Sequence, residues 1–193
     1  TMLRRRLDAE LERPARQALL RRIGDHYWRL DQSATALRFW IDAGEAAWAA
    51  ERLVEVAEEW LAAGRVEALA NMLEALGDEA KRPELLMVQG ELHRRWGDFA
   101  RAGQLLDQAV AAFGPGPGPL GRALARLRQA QVAASCGNVA LARERLAEVA
   151  PAAEALPRYR VDARIVEGGL ALLTGDTEAA IAHFQAAREA GKR

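Results

Sequence analysis

The chain has 193 residues, 27 lysine and arginine residues against 27 aspartate and glutamate residues, and a hydrophobic fraction of 50%. This composition is that of a folded protein and argues against intrinsic disorder, while the zero net charge gives no basis for non-specific attraction to nucleic acid or to an anionic membrane. A single cysteine, Cys136, excludes an internal disulfide framework and a cysteine-based metal site, and favours a reducing, cytoplasmic location.

The chain offers no targeting or membrane-spanning segment to sequence inspection. No apolar run reaches the roughly 18 residues that a spanning helix needs, and the start of the sequence lacks the apolar core of a signal peptide. Only Lys81 and Lys192 are lysines, so the basic residues are almost all arginine, which indicates a GC-rich bacterial gene. The abrupt start and end predict that this is a part of a larger protein.

Residues 2–13 predict a highly charged amphipathic helix, with Leu3, Leu7 and Leu11 at intervals of four. Its apolar stripe needs a partner. Two interpretations remain open: a cap on the helices that follow, or the last helix of a preceding domain.

The remainder, residues 14–193, predicts an all-helical domain, because apolar residues recur at intervals of three and four and no window alternates with the period of a strand. Strong breaks fall at regular intervals of 33, 33, 40 and 38 residues, and they lie at Asp31, Gly64, Gly97, Gly137 and Gly175. Such spacing indicates a helical repeat.

Around each break the residues follow the tetratricopeptide (TPR) pattern, in which a small residue and an aromatic precede the turn and two alanines flank a large residue after it. The first, third and fifth copies match best, with Gly24-Tyr27-Ala36-Trp40-Ala43, Gly90-His93-Ala102-Leu106-Ala109 and Gly168-Ala171-Ala180-Phe184-Ala187. Small residues allow the two helices of a repeat to approach closely, and stacking of repeats supplies the core. We therefore expect a right-handed superhelix, or solenoid, of about five TPR-like helix-turn-helix repeats.

Two segments lengthen the repeat. The alternating glycines and prolines of residues 114–119 cannot continue a helix, and predict a linker that is either a tolerated loop insertion or a hinge. Pro151 and Pro157 bracket a segment in which one helix is expected to end and the next to begin.

The sequence contains few residues suited to catalysis, and we predict no catalytic residue, no metal site and no cofactor. The serines are Ser33 and Ser135, and the three histidines lie in three different repeats. His93 occupies the position that tyrosine usually fills, so we expect it to pack between helices, and we expect Cys136 to be a small packing residue beside the Gly137 turn.

The expected binding surface is the concave face, which the first helix of each repeat lines. Trp40 and Trp60 fall on core positions, whereas Trp28 should turn towards this face. Our candidate ligand- or partner-binding residues are Arg21, Asp25, Trp28, Glu58, Met87, Glu91, Arg94, Arg95 and Gln131. Two interpretations are open: a solvated charged face with pairs such as Arg21 with Asp25, or polar groups that converge on a ligand. In the fourth and fifth repeats the same positions are nearly apolar.

Two passages resemble the large ATP-binding, LuxR-type bacterial transcriptional regulators related to MalT. These are Ala36 to Leu53, which reads ALRFWIDAGEAAWAAERL, and Leu61 to Leu86, which contains LAAGRVEAL, LEAL and RPELL. The resemblance covers residues 2 to 110, and it departs where Gly77 follows Leu76 in place of the proline that is common in the family.

The resemblance implies a non-enzymatic signal-sensing domain of a transcriptional activator, in which residues 2–13 are the tail of a winged-helix region. It implies as partners a small-molecule inducer or a regulatory protein, and the NTPase, winged-helix and DNA-binding modules of the same chain. Self-association is a further expectation, and direct contact with nucleic acid or membrane is not. The alternatives are a stand-alone TPR adaptor for a peptide or protein, or an oligomerisation scaffold.

Overall fold

The computed structural model describes residues 12–114, 120–155 and 157–191, with the backbone alone given for the described residues between 151 and 158. This part of the chain is helical and contains no strand. A short 3₁₀ helix, Gly77–Lys81, follows the fourth α-helix. The ten α-helices are α1 (Arg13–Arg29), α2 (Ser33–Asp42), α3 (Ala46–Ala62), α4 (Val66–Leu76), α5 (Pro83–Arg95), α6 (Phe99–Phe113), α7 (Leu120–Ser135), α8 (Val139–Ala155), α9 (Pro157–Leu173) and α10 (Thr177–Ala190).

The helices pair as five helix-turn-helix units, and every predicted break is a turn between the two helices of a pair. The turns require a residue in the left-handed backbone region, where Gly97 has φ +79° and the non-glycine Asp31 has φ +56°. After the turn, Asp98 accepts a hydrogen bond from the backbone N–H of Arg101 at 3.1 Å and so caps α6. The chain reverses sharply, and the two helices of a pair lie side by side.

Small residues set the separation between paired helices, as the repeat pattern predicts. A Cβ on Gly24 would lie 2.5 Å from Nε1 of Trp40, and one on Gly90 would lie 2.8 Å from Cγ of Leu106. In the fifth pair, a Cβ on Gly168 would lie 2.6 Å from the ring of Phe184. In these three pairs, Gly24, Gly90 and Gly168 of the first helix therefore each receive a large side chain of the second helix.

The chain divides into two compact units, Thr1–Lys81 (the N-terminal unit) and Arg82–Arg193 (the C-terminal unit). In the N-terminal unit each helix packs on the next, and α2 also contacts α4. Its largest fully buried side chains are Trp40 and Trp60, which confirms their predicted core positions.

In the C-terminal unit the first helices of successive pairs contact one another, α5 with α7 and α7 with α9. Each second helix also packs on the first helix of the following pair, α6 on α7 and α8 on α9. Ala102, Leu106 and Ala109 are buried in the core between the third and fourth pairs. The first helices thus form one continuous layer, on which the candidate site lies.

One packing prediction is wrong: Cys136 is exposed. It follows the last residue of α7 and precedes Gly137, so its side chain lies at the turn, outside the interface between α7 and α8. The end of α8 at Ala155 and the start of α9 at Pro157 agree with the predicted change of helix. Of the predicted helix over residues 2–13, the structure describes only residues 12 and 13. Of the predicted linker over residues 114–119, it describes only Gly114. None of the described helices is long and apolar enough to cross a bilayer.

Candidate binding surface

Glu91, on the last turns of α5, holds an arginine cluster together. Its side chain is only 3% exposed. Oε2 accepts a hydrogen bond from Nε of Arg94 at 2.8 Å, and Oε1 accepts one from Nε of Arg95 at 2.9 Å. A second bond from Nη2 of Arg94 to Oε1, also 2.8 Å, makes the pairing with Arg94 bidentate. The carboxylate is thereby fixed beneath two partly exposed guanidinium groups.

The same carboxylate links two neighbouring repeats. Nη1 of Arg128, on α7, lies 3.7 Å from Oε2 of Glu91 and donates a hydrogen bond to Oε1 of Gln131 at 3.2 Å. Three of the predicted residues, Glu91, Arg94 and Arg95, are therefore brought together, and Gln131 joins them through Arg128.

Burial raises the pKa of Glu91, but the hydrogen bond from Arg94, the charge of Arg128 and the hydrogen bond from Arg95 outweigh it. The pKa of the carboxyl consequently lies below its ordinary value, and the group is a carboxylate at neutral pH. One carboxylate therefore contacts the guanidinium groups of Arg94, Arg95 and Arg128.

Arg128 is a residue that the sequence interpretation missed. Arg128 lies two residues before the small residue of its first helix, in the fourth repeat. The equivalent position holds Val88 in the third repeat and Val166 in the fifth. Both valines are buried. An arginine between two valines at a core position is the signal that alignment of the repeats could have provided.

We give one set of positions in the C-terminal unit the name first-helix face. It consists of the residues one, four and five positions after the small residue of each first helix, together with Arg128. Helix α5 contributes charged residues, α7 small or polar residues, and α9 a glycine and two leucines. The residues are Glu91, Arg94, Arg95, Arg128, Gln131, Ala134, Ser135, Gly169, Leu172 and Leu173.

Met87 does not belong to this face. It is 8% exposed and packs in the core formed by α5, α6 and α7. Helix α7 covers the position, because the first helix of the next repeat packs against it. Met87 presents little surface to a partner, and we leave it out of the proposed site.

The four candidate residues of the N-terminal unit do not form one cluster. Oδ1 of Asp25 accepts a hydrogen bond from Nε1 of the buried Trp40 at 3.0 Å. Arg21 pairs with Glu45 at 3.0 Å rather than with Asp25. Trp28 is half-buried and its ring lies 5.4 Å from the ring of Trp40, and Glu58 is partly buried on α3. Their part in binding stays a prediction.

The described surface includes a hollow in each unit. The larger, about 630 Å³, lies in the N-terminal unit, where Tyr27 and Phe39 stack with parallel rings 5.6 Å apart, and Arg22 and Asp25 supply charge. The other, about 380 Å³, lies between α8, α9 and α10. Among its lining residues, Nδ1 of His183 lies 3.0 Å from Oε2 of Glu167.

His93 contacts two residues of the turn that follows its own helix. Its Nδ1 lies 3.1 Å from Oδ2 of Asp98, and its ring meets that of Trp96 edge-on at 5.3 Å. Within the described ranges, no group of three or more histidine, cysteine, aspartate or glutamate residues is placed to hold a metal ion.

Solved structures show what the arrangement of helices is similar to. Two crystal structures of MamA match with TM-scores of 0.60 and 0.61 at 18% identity, covering 88% and 91% of this chain and 95% and 92% of theirs. Nearly identical TPR-like repeats of kinesin-light-chain type from Podosopora anserina match with a TM-score of 0.53 at 20% identity, covering 94% of this chain and 97% of that chain. The fold is a TPR-like helical repeat. No model of a known protein family matches the chain, and no curated protein matches its sequence.

Proposed function

We propose that this chain is a non-enzymatic, signal-sensing helical-repeat domain that binds a segment of a regulatory protein along its first-helix face. The observation that carries the proposal is the cluster of Glu91, Arg94, Arg95 and Arg128. A buried carboxylate with three guanidinium groups costs desolvation free energy. It also holds two of those groups, on Arg94 and Arg95, at a partly exposed surface.

The shape of the face favours a polypeptide over a small molecule. Ligand pockets usually enclose most of a small ligand, whereas the first-helix face is an open layer of three helices. Extended peptides bind such surfaces through spaced side-chain contacts. A regulatory protein is therefore our preferred partner.

A small inducer is the second candidate, and the hollow beside Tyr27 and Phe39 supports it. Its volume of about 630 Å³ lies in the range of small-molecule sites, and it combines stacked aromatic rings with the charged Arg22 and Asp25. A thermal-shift screen of sugars, nucleotides and small metabolites tests this alternative. A ligand at 100 times its dissociation constant should stabilise the protein by about 2.7 kcal/mol.

The resemblance of residues 2 to 110 to MalT-like regulators supports a place in a bacterial, cytoplasmic transcriptional activator. The domain would then pass its state to NTPase and DNA-binding modules of the same protein, and such coupling requires different affinities for two conformations. A stand-alone adaptor is the alternative context. A phosphate-binding loop and a winged helix encoded upstream of Thr1 in the same gene would support the activator, and a gene that encodes neither would contradict it.

A peptide selection tests the proposed surface directly. Peptides from a random displayed library are selected on the chain, and their affinities are measured for Ser135→Trp, which places a large ring on the face at an exposed position. The matched control is Gln108→Trp, at an exposed position of α6. We expect Ser135→Trp to weaken binding by about tenfold or more, equivalent to about 1.4 kcal/mol, and Gln108→Trp to leave it unchanged. Equal affinity in both variants would contradict the proposed site.

A further inference from the structure

The hollow of the C-terminal unit, about 380 Å³, lies between the two second helices α8 and α10. Helix α9 packs on both of them and forms the floor of the hollow. The volume is at the lower end of the range of small-molecule sites, which favours a small ligand. The hollow shares no residue with the first-helix face.

Smaller side chains on α8 open this hollow. One repeat earlier, Asp107 on α6 accepts a hydrogen bond from Nε2 of Gln129 on α7 at 2.6 Å, and Val110 is buried. These two α6 residues lie five and eight positions after the buried alanine of their helix. The equivalent positions of α8 hold Ala147 and Ala150, which line the hollow. The space that a hydrogen-bonded pair and a valine fill in the third and fourth pairs is therefore vacant beside α9.

Arg143 supplies positive charge to the hollow. It occupies the position that Gly103 holds on α6 and Ile181 holds on α10, so the charge is particular to this repeat. The arginine is exposed, and among the described residues no carboxylate lies within ion-pair distance of it. A guanidinium of this kind binds the carboxylate of a ligand through two parallel hydrogen bonds.

Asp176 lies at the same end of the hollow as Arg143. Helices α8 and α9 follow one another and pack together, so they run antiparallel, and the start of α8 lies beside the end of α9. Asp176 comes directly after that end, where its Oδ1 accepts a hydrogen bond from the backbone N–H of Ala179 at 2.9 Å and caps α10. A carboxylate can accept further hydrogen bonds. This end therefore presents a guanidinium and a carboxylate to a ligand.

An apolar floor leads from these charges to the other end of the hollow. Leu146 on α8 and Leu170 on α9 line it. At the far end, Oε2 of Glu167 accepts a hydrogen bond from Nη1 of Arg164 at 2.8 Å and lies 3.0 Å from Nδ1 of His183. These polar groups already pair with one another, so they close the floor.

We propose that this hollow binds a free α-amino acid with an apolar side chain. The ligand's carboxylate pairs with Arg143, its ammonium group pairs with Asp176, and its side chain covers Leu146 and Leu170. The inference concerns a second site and does not rest on the proposed function.

The combination of charges selects this class of ligand. A phosphate or a fatty acid would pair with Arg143 but would bring a second negative charge beside Asp176. An amine without a carboxylate would bring a second positive charge beside Arg143. An α-amino acid carries both groups on one carbon atom. Thr174 and Glu167, which line the two ends, are seven residues apart on α9 and so about 10 Å apart, which leaves room for the side chain.

The test is calorimetry on the complete 193-residue chain with leucine, methionine and phenylalanine as probes. We expect at least one of them to bind with a dissociation constant of about 1 mM or tighter. For leucine, the paired analogues are 4-methylpentanoate, which lacks the ammonium group, and 3-methylbutylamine, which lacks the carboxylate. Each should bind at least about tenfold more weakly than leucine. No binding of the three amino acids, or equal affinity for leucine and both analogues, overturns the inference.

Protein variants assign each charge of the ligand to its side chain. In Arg143→Gln, leucine should bind no better than 3-methylbutylamine, and in Asp176→Asn it should bind no better than 4-methylpentanoate. Asparagine also caps helices, so the second variant keeps the start of α10. The matched controls are Arg188→Gln on α10 and Asp98→Asn, which alters the corresponding cap of α6. Equal losses in a variant and its control overturn the assignment.

A variant that fills the hollow tests its location without changing a charge. Ala147→Leu should weaken leucine binding by at least about tenfold, because the added side chain occupies the space above α9. The control is Ala111→Leu, at an exposed position of α6, which should leave the affinity unchanged. Circular dichroism confirms that both variants are folded. Unchanged affinity in Ala147→Leu places the bound amino acid elsewhere and overturns the inference.

Discussion

The indole N–H of Trp40 lies in the core of the N-terminal unit, where Trp40 is 2% exposed, and Asp25 accepts its hydrogen bond. A buried donor without an acceptor loses its hydrogen bond to water and gains nothing in return. Asp25 therefore has a structural role, although the repeat pattern places it on a ligand-facing position.

Asp25→Ala should destabilise the protein by about 1 to 3 kcal/mol, because it leaves the Trp40 N–H without its acceptor. Asp25→Asn keeps an acceptor oxygen and should cost clearly less. Urea denaturation at neutral pH measures both changes. Equal losses in the two variants would show that the charge of Asp25, and not its hydrogen bond, carries the effect.

Glu91 makes stability depend on pH. Its pKa is lower in the folded protein than the reference value of 4.5. The unfolded chain therefore binds the proton more tightly, and the stabilisation by Glu91 is present above about pH 4.5 and is lost as the pH falls through the folded pKa.

Glu91→Gln should lower the free energy of unfolding at pH 7 by about 1 to 3 kcal/mol, because the buried group that Arg94, Arg95 and Arg128 contact loses its negative charge. The difference from the parent protein should shrink as the pH falls below about 4.5 and through the folded-state pKa, where the parent carboxylate also becomes neutral. Denaturation at a series of pH values measures this. The control is Glu144→Gln, an exposed residue, which should change stability by less than about 1 kcal/mol. A difference independent of pH would contradict the assignment.

A glycine within a helix has opposite consequences depending on what faces it. Gly90 faces the Leu106 side chain so closely that no Cβ fits without movement of the core. Gly103, on α6, has no atom within 4 Å of the place of its missing Cβ. The first glycine positions two helices, whereas the second only lowers helix propensity.

Gly90→Ala should destabilise the protein by about 1 to 3 kcal/mol through overpacking. Gly103→Ala is the matched control and should stabilise it by about 0.5 to 1 kcal/mol, because alanine loses less conformational entropy on helix formation. Thermal denaturation of the two variants side by side measures the contrast. A stabilising Gly90→Ala would show that the spacing between α5 and α6 adapts freely.

The helices, their turns and their close contacts were predictable from the sequence because each depends on local chemistry. Gly97 fits a left-handed turn, and Gly90 and Leu106 keep a fixed spacing. The candidate site was predicted only in part. The lowered pKa of Glu91 depends in part on Arg128 from the next repeat, and Met87 packs in a core that α7 completes. Neither follows from the repeat that contains the residue. The prediction that Cys136 is a packing residue was wrong because its side chain lies at the turn and not between helices.

At the scale of the molecule, the helices fall into two units, and each has its own core. In repeat proteins, stability is approximately a sum of intrinsic repeat terms and nearest-neighbour interfaces. The six helices α5 to α10 pack on one another in sequence within the C-terminal unit. This arrangement indicates that the unit contains its own folding information.

A fragment of residues 82–193 should therefore fold without the N-terminal unit. We expect a helical circular dichroism spectrum and a cooperative urea transition. Gly90→Ala should cost the fragment as much free energy as it costs the whole chain, because its contacts with Leu106 lie within the fragment. A fragment that unfolds without cooperativity would contradict the independence of the unit.

The distribution of tryptophans provides two optical probes. Trp28, Trp40, Trp48 and Trp60 lie in the N-terminal unit, and Trp96 is the single tryptophan of the C-terminal unit. Trp96 is 48% exposed and directly follows Arg94 and Arg95. Buried indoles emit at shorter wavelength than hydrated ones, so unfolding of the first unit should shift the emission strongly to the red. A ligand bound at Arg94 and Arg95 should instead change the red edge of the emission spectrum, where Trp96 emits. Unlabelled protein can therefore report both the unfolding of the N-terminal unit and the binding of a ligand.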